Sequence, residues 1–419
     1  MPRVGERLYD AAGRQNELRR DPWVGRAAYP ASVLADKLRA RIAADGPLPF
    51  EEYMAACLYD PDGGFFTTGP LRSVKEGDFL TSPEVSPWFG RMLARFAERE
   101  VEGGLFVDVG AGSGSLLAPM IDSLASPSGG GAERSEAEGV KPLSRPRSDP
   151  PPSPDGPDSP LRGEQWEFHA VEASPAAREA LGDVVGPDHV HETIDELPDQ
   201  FNGVVIANEL LDNFPVALAI RNGDGWVERW VGSTDTAFGL VTEEARPDVV
   251  AWCDAYAGTV PEGGMVEVQL AATEWVGAIL GWIERGALVV IDYGGTAEEL
   301  EPRRTQGTLR TYQRHHLGPD PLLEPGATDV TVDVNFTALI AATEETGATV
   351  ELHRQDDFLA DLGLRDVVRD LRHEELELAK GEDAMARLKV RSELTDADTL
   401  LHPRGLGDFR VLVATPAET

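Results

Sequence analysis

Two carboxylates and an amide follow a short apolar run near the middle of the chain. The stretch GVVIANELLDNFP, residues 203–215, begins like a buried strand and then places Asn208, Glu209 and Asp212 close together. A buried carboxylate without a partner is costly, and a planar guanidinium can make paired, charge-assisted hydrogen bonds with a carboxylate. We therefore interpret these three as catalytic residues for a cationic acceptor. Capping of backbone groups within the loop is the alternative.

A glycine loop with a nearby acid predicts a nucleoside-containing cofactor. In VDVGAGSGS, the glycines Gly110, Gly112 and Gly114 alternate with other residues, and Asp108 comes two residues before the first of them. Glycine permits a tight strand-to-helix turn and close approach of a ligand to the backbone. The spacing differs from the G-x-G-x-x-G of dinucleotide binders and is frequent in S-adenosylmethionine (SAM) sites, where the acid holds the charged amino-acid end. A ligand-free turn is the alternative.

A second acid fits the ribose of such a cofactor. A ribose-binding Asp or Glu stands about 20 residues after the glycine loop, at the end of the next strand. Glu172, in HAVEAS, is at that separation from Gly114 once residues 126–163 are set aside. That segment is rich in Pro, Ser and Gly with few large apolar residues, which predicts a disordered insert. Glu172 is therefore predicted to accept hydrogen bonds from both ribose hydroxyls.

The elements that must position these residues alternate between buried strands and helices. This alternation predicts an open, mostly parallel α/β sheet, whose ligands bind beyond the carboxyl ends of the strands. All of the candidates fall at such ends, and Asp292 and Tyr293, after the apolar run ALVVI, are further candidates for the same cleft. The pattern also predicts a hairpin in VALAIRNGDGWVERWVG and a helix over residues 268–285.

Composition excludes several classes of protein. The 419 residues carry a formal net charge of −35, which disfavours binding to nucleic acid or anionic lipid. No apolar run is long enough for a membrane span or a secretory signal, so we expect a cytoplasmic protein. The two cysteines form no C-x-x-C pattern, and His189 and His191 are typical of structural or solvated side chains. No metal site is predicted.

Longer motifs resemble those of the MidA-type class I SAM-dependent methyltransferases. This family includes the mitochondrial complex I assembly-factor protein arginine methyltransferase. The matching stretches are FEEYMAACLYDPDGGFF, GDFLTSPEVSPWFG, VDVGAGSGSLL, VEASP, ANELLDNFPV, VVIDYGG, GTLRTYQRHH, PGATDVTVDVNFTAL and GLGDFRVLV. The sequence departs from the family in having Ala111 where proline is usual, and leucines at 210 and 211 where an aromatic residue is often found.

The resemblance implies a fold and a division of the chain into domains. It implies a Rossmann-like α/β fold with a seven-stranded sheet, in which Val204 to Ala207 form the fourth strand. A helical N-terminal region, residues 1–100, would carry the cofactor-covering GDFLTSPEVS loop. A SAM-binding domain, residues 101–419, would contain a family-specific insertion at about 216–285. Thr81 and Ser82 would help to cover the cofactor, or alternatively would only cap the helix that follows.

The resemblance also implies an activity, methyl transfer from SAM to an arginine of a protein substrate. In this hypothesis Glu209 grips the guanidinium, Asp212 assists or accepts the proton, and Asn208 orients the acceptor or the cofactor. A small-molecule N- or O-methyltransferase, a SAM-binding assembly factor that acts by protein contact, and an NAD-linked oxidoreductase are the alternatives. The oligomeric state is left open, with a homodimer among the alternatives.

Overall fold

The computed structural model describes residues 33–68, 81–125, 166–234, 237–313 and 316–417. The predicted insert, residues 126–163, lies outside the described residues. So do residues 1–32 of the predicted N-terminal helical region and residues 77–80 of its GDFLTSPEVS motif.

Helices and strands alternate through much of the described chain. The helices are α1 (Val33–Asp45), α2 (Phe50–Tyr59), α3 (Ser82–Val85), α4 (Pro87–Glu100), α5 (Leu117–Ala125), α6 (Pro175–Val185), α7 (Pro247–Tyr256), α8 (Leu270–Leu280), α9 (Ala297–Leu300), α10 (Phe336–Glu345), α11 (Gln355–Asp361), α12 (Leu364–Leu378) and α13 (Ala384–Leu400). The strands are β1 (Leu48–Pro49), β2 (Gly104–Val109), β3 (Trp166–Val171), β4 (Val190–His191), β5 (Phe201–Asn208), β6 (Ala217–Asn222), β7 (Gly225–Ser233), β8 (Phe238–Glu244), β9 (Met265–Val268), β10 (Ile283–Asp292), β11 (Gly294–Gly295), β12 (Arg310–Gln313), β13 (His316–Leu317), β14 (Asp329–Thr331), β15 (Val334–Asn335), β16 (Thr349–Arg354) and β17 (Arg410–Thr415).

The largest sheet of the described residues has seven strands, in the order β16-β17-β10-β5-β2-β3-β4. Strands β10, β5, β2, β3 and β4 run parallel, and β17 is antiparallel to both of its neighbours. The chain passes from β2 outward to β4 and then returns to start β5 on the other side of β2. The switch point, where sheets of this kind bind ligands, therefore lies between β2 and β5. The predicted open, mostly parallel sheet is confirmed.

Strand β5 is buried because both of its faces are covered. Val204 to Ala207 have no exposed surface, as expected of a central parallel strand with a continuous apolar run. Val204 and Ile206 pack with apolar side chains of α4, α5 and α12, while Val205 and Ala207 pack with those of α8 and α10. This burial on both sides fixes the strand end that carries the polar loop.

A second sheet has the order β1-β7-β6-β9, with β8 also paired to β7. The predicted hairpin is confirmed, since β6 and β7 pair antiparallel around the turn at residues 223–224. Helices α1 and α2 pack their apolar side chains against this sheet. The N-terminal part of the chain thus helps to build the region that the sequence suggested as an insertion at 216–285.

The predicted helix over residues 268–285 is too long. Helix α8 ends at Leu280, and Ile283 already belongs to β10, where it pairs with Phe201 of β5. Apolar periodicity continues through this junction because both elements are buried, so the pattern alone does not show where the helix ends.

The predicted domain boundary at residue 100 stays a prediction. Helix α4 ends at Glu100 and packs in the same core as β2 and β5. Within the described part of the chain, no helix combines the length and the apolarity needed to cross a bilayer.

Candidate active site

A cavity of about 830 Å³ opens at the carboxyl ends of β2, β3, β5 and β10. The sequence-predicted residues that line it are Thr81, Asp108, Gly110, Gly112, Glu172, Asn208, Glu209 and Asp212. Residues separated by more than a hundred positions in sequence therefore meet at the switch point of the sheet. Tyr293 lines the same cavity, while Ser82, Gly114 and Asp292 do not.

The glycine loop turns sharply between β2 and α5. The φ angles of Gly110, Gly112 and Gly114 are all positive, at 76°, 54° and 78°. Residues other than glycine rarely adopt this backbone conformation. A Cβ on Gly110 would lie 3.0 Å from the Leu210 side chain, and one on Gly114 would press against Leu181 and Val184 of α6. The first glycine therefore keeps the loop close to the end of β5, and the third allows helix packing.

Glu172 is fixed directly against this loop. Its two carboxylate oxygens accept hydrogen bonds from the backbone N–H groups of Gly112, at 2.9 Å, and Ser174, at 2.8 Å. Its own N–H donates to the carbonyl of His191. Carboxylate oxygens have further lone pairs free to accept, so Glu172 could hold a diol in the cavity while it keeps its backbone contacts.

Asp108 lies at the floor of the site and is 2% exposed. Burial, together with the nearby charge of Glu172, raises the pKa of Asp108 to about 8. A buried acid of this kind gains from a cation brought in by a ligand, because the cation offsets the lost hydration of the charged form.

Glu209 has an unusual backbone conformation. Its φ of 50° makes it the one non-glycine residue with positive φ in the described part of the chain, and such strain is concentrated at functional sites. Its N–H donates to the carbonyl of Ile291 in β10, which holds the turn at the strand end. The side chain is half-buried, and its Oε1 is covered from solvent with no hydrogen-bond partner among the described residues.

The electrostatics of Glu209 favour a positively charged ligand. Burial raises the pKa of this carboxyl to about 8, and the charge of Asp212 adds to the rise. The Ser82 backbone N–H and the Asn208 side chain donate to Glu209 and partly oppose the effect. Because Oε1 remains without a donor, the arrangement can accept hydrogen bonds from a positively charged group.

Asp212 shares the same end of the cavity. It is 4% exposed, and its Oδ2 accepts a hydrogen bond from the hydroxyl of Tyr293, whereas Oδ1 has no partner among the described residues. Burial raises the pKa of Asp212 to about 6, although the Tyr293 contact acts in the opposite direction. Two carboxylate oxygens without donors therefore face a single cavity.

Asp292 is placed behind the loop. It is fully buried, and its oxygens accept from the N–H groups of Leu211, Asp212 and Tyr293 at 3.0, 3.2 and 2.9 Å. These bonds hold the segment after β5 against the end of β10. Of the two further candidates from the sequence, Asp292 therefore positions the loop and Tyr293 reaches into the cavity.

Thr81 and Ser82 stand at the start of α3 with different surroundings. Thr81 lines the cavity, and its N–H donates to the carboxylate of Glu84. The Ser82 side chain is fully buried and bonds with the side-chain amide of Gln355. The Ser82 hydroxyl is thus occupied inside the protein, and its backbone N–H is the group that turns toward Glu209.

Several cavity residues received no role from the sequence. The Arg310 guanidinium lies over the Tyr293 ring, 5.4 Å from its centroid, and pairs with Asp333. Trp275 meets Phe214 edge to face on another wall. The signal for Arg310 was the GTLRTYQRHH motif, which carried the family resemblance but gave no clue to its neighbours in space.

Comparisons with known proteins agree with this geometry. Residues 159–354 match the model of a family described as putative S-adenosyl-L-methionine-dependent methyltransferase. A Drosophila melanogaster protein, the mitochondrial protein arginine methyltransferase NDUFAF7 homolog, is 27% identical over 353 residues, which cover 75% of this chain and 70% of the relative. The Homo sapiens mitochondrial protein arginine methyltransferase NDUFAF7 is 23% identical over 408 residues, 91% of this chain and 83% of the relative.

A solved structure extends the likeness to almost the whole chain. A Burkholderia thailandensis protein crystallised with S-adenosyl-homocysteine superposes with a TM-score of 0.72 at 28% identity, covering 92% of each chain. The fold and cavity define a class I SAM-dependent methyltransferase, with SAM as its cofactor. The resemblance to the MidA-type family of these enzymes, stated above from the sequence motifs, is confirmed by these comparisons.

The expected cytoplasmic location is contradicted by the comparisons, because the curated relatives are mitochondrial proteins. The expectation rested on the lack of a membrane span and a secretory signal. A protein of an organelle can lack both, so their absence does not distinguish the cytoplasm from an organelle.

Proposed function

We propose that this methyltransferase acts on an arginine guanidinium of a protein substrate. The observation that carries the proposal is the pair of buried oxygens without donors, Glu209 Oε1 and Asp212 Oδ1, at one end of the cofactor cavity. A guanidinium has five N–H donors in a planar fork and a permanent positive charge. It would satisfy both oxygens and offset the burial of both acids. The names of the curated relatives support the same acceptor.

The cofactor end of the cavity is assigned to the glycine loop and its two acids. Glu172 is placed to accept from ribose hydroxyls, and Asp108 is placed to pair with a positive charge of the cofactor. Gly110 and Gly112 line this end without side chains, and Thr81 lines it from the α3 side. We propose no direct contact for the Ser82 side chain, which bonds with Gln355, or for Gly114, which packs against α6.

The roles at the acceptor end follow from charge and hydrogen bonding. SAM supplies an electrophilic methyl group on its sulfonium. Glu209 grips the guanidinium and keeps its charge on the nitrogens that are not methylated, and Asn208 holds Glu209 through its side chain. Asp212 would accept the proton that the guanidinium nitrogen gives up when the methyl group passes to it from the sulfonium sulfur. Tyr293 orients Asp212 by donating to Oδ2.

Glu209→Gln separates acceptor binding from cofactor binding. The amide keeps the shape of the side chain but loses the charge that pairs with the guanidinium. We expect methyl transfer in single turnover to fall at least roughly tenfold, while SAM affinity in calorimetry stays close to that of the wild type. Glu345→Gln, an exposed acid at the end of α10, is the matched control and should alter neither quantity. Undiminished transfer in Glu209→Gln would remove this residue from the mechanism.

A further inference from the structure

A cluster of histidines and acids lies on the edge of the main sheet, outside the cofactor cavity. Glu167 and His169 belong to β3, and His189 immediately precedes β4. One ligand atom from each of these three residues lies within 4.8 Å of the others. We propose that they form a binding site for a divalent transition-metal ion, with Zn²⁺ as the best match to two imidazoles and one carboxylate.

The spacing of the three donor atoms fits such an ion. The Glu167 Oε1 atom is 3.1 Å from His169 Nε2 and 3.5 Å from His189 Nδ1. Zn²⁺ holds nitrogen and oxygen ligands at about 2.0–2.2 Å, so neighbouring ligand atoms of a tetrahedral site lie roughly 3.4 Å apart. Small adjustments of the half-exposed His189 and Glu167 would close the site, and the fourth position would remain open to water.

An unpartnered nitrogen is the second observation that points to a ligand. His189 Nδ1 is covered from solvent and makes no hydrogen bond among the described residues, although Glu167 Oε1 lies 3.5 Å away. Covered polar atoms without partners are rare in folded proteins. A metal ion bound through this nitrogen would supply the missing partner without moving the surrounding strands.

The outer contacts set the tautomer that metal binding needs. His169 Nδ1 lies 2.9 Å from His191 Nε2, and His191 Nδ1 lies 3.7 Å from Glu196. If His169 Nδ1 carries its proton toward His191, the Nε2 lone pair is free to face the ion. Metal-bound histidines commonly donate their other N–H to such a partner.

The position of the site gives it a structural role. Strand β4 pairs with β3 through only two register positions, Ala170 with Val190 and Val171 with His191. The His191 carbonyl then accepts from Glu172, the acid placed beside the cofactor cavity. An ion bound by His169 of β3 and by His189 would hold β4 in place beside the cofactor-binding end of β3.

Cobalt titration of the untagged, full-length protein tests the site. Co²⁺ substitutes for Zn²⁺ and gives visible absorption that reports coordination number and ligand type. We expect one ion per chain with a tetrahedral spectrum, its displacement by Zn²⁺, and a higher Tm in Zn²⁺. Glu167→Gln and His189→Ala change residues that are partly exposed, so both variants should fold, and each should weaken binding at least roughly tenfold.

The matched control is the pair His353 and Glu351 on β16, at the opposite edge of the sheet. His353 Nε2 lies 3.1 Å from Glu351, but among the described residues no third His, Cys, Asp or Glu completes a cluster with this pair. His353→Ala and Glu351→Gln should leave the cobalt spectrum and the Tm gain unchanged. Absence of a stoichiometric spectrum, or equal binding by wild type and Glu167→Gln, would overturn the proposal and leave a hydrogen-bonded cluster.

Discussion

Glu209 combines a strained backbone with a carboxyl oxygen that is covered from solvent and has no donor among the described residues. Its N–H donates to the Ile291 carbonyl at the turn where φ is positive, and the charge of Asp212 contributes to the raised pKa of its carboxyl. The strained backbone and the buried carboxyl lower the stability of the free enzyme, and a bound cation would offset this loss by pairing with the carboxylate. The proposed guanidinium contact gives a physical reason for this arrangement.

The raised pKa values predict how activity depends on pH. Burial raises the pKa of Glu209 to about 8 and that of Asp212 to about 6, whereas a guanidinium stays charged throughout this range. Since only the ionised acids attract the acceptor, kcat/KM for the acceptor should rise between about pH 6 and about pH 9 and level off above.

The Glu209→Gln variant provides the check on this profile. In this variant kcat/KM for the acceptor should no longer rise near pH 8, and a weaker rise at lower pH, due to ionisation of Asp212, should remain. Initial rates at subsaturating acceptor and saturating SAM measure both profiles. A profile that is flat in the wild type, or unchanged in the variant, would show that neither acid controls acceptor binding.

At the scale of elements, the loop after β5 depends on the end of β10. Asp292 accepts three backbone N–H bonds there, so β10 sets the position of the residues that would meet the acceptor. Asp292→Asn should lose at least one of these bonds, because the amide offers one acceptor oxygen in place of two. We expect a loss of about 1–3 kcal/mol in the free energy of unfolding.

The kcat of Asp292→Asn should fall more than that of a variant in which a buried carboxylate is lost far from the cavity. The loop that carries Asp212 would be misplaced, so kcat should decrease while SAM affinity changes little. Glu228→Gln, a fully buried acid of β7 that bonds with Arg246, controls for the loss of a buried carboxylate. Denaturant unfolding and steady-state rates for both variants make the comparison. Equal kcat in the two variants would contradict the positioning role.

Much of this organisation could be predicted from the sequence. Apolar runs that end in polar residues located the strand ends, and separations along the chain related Glu172 to the glycine loop. The pairing of Ser82 with Gln355 and the contact of Tyr293 with Asp212 could not be predicted, because each joins residues far apart in sequence. Strand β1 could not be predicted either, because it has only two residues and pairs with β7, which lies far along the chain.

At the scale of the whole molecule, the site lies at one end of the sheet, and the described residues that flank the predicted insert lie at the other. Helix α5 ends at Ala125, and Trp166 begins β3 at the end opposite Glu172. Replacing residues 127–163 by a Gly-Ser linker of about eight residues should therefore change SAM affinity by less than roughly threefold. Calorimetry gives the affinity, and circular dichroism establishes the fold. Lost SAM binding in a folded deletion variant would assign the insert a part in the cofactor site.

Net charge acts on the whole surface. The value of −35 would attract a basic substrate segment to the protein, and added salt would screen this attraction. The proposed arginine acceptor would therefore be bound more readily when it lies in a basic segment of its protein.

The most direct measurement is transfer of a labelled methyl group from SAM to the components of a cell lysate. Labelled proteins are hydrolysed, and the amino acids are separated. The proposed function predicts methylarginine from protein with the wild type and strongly reduced label with Glu209→Gln. Label only in small molecules, in other amino acids, or in no component while SAM still binds would contradict arginine methylation of a protein.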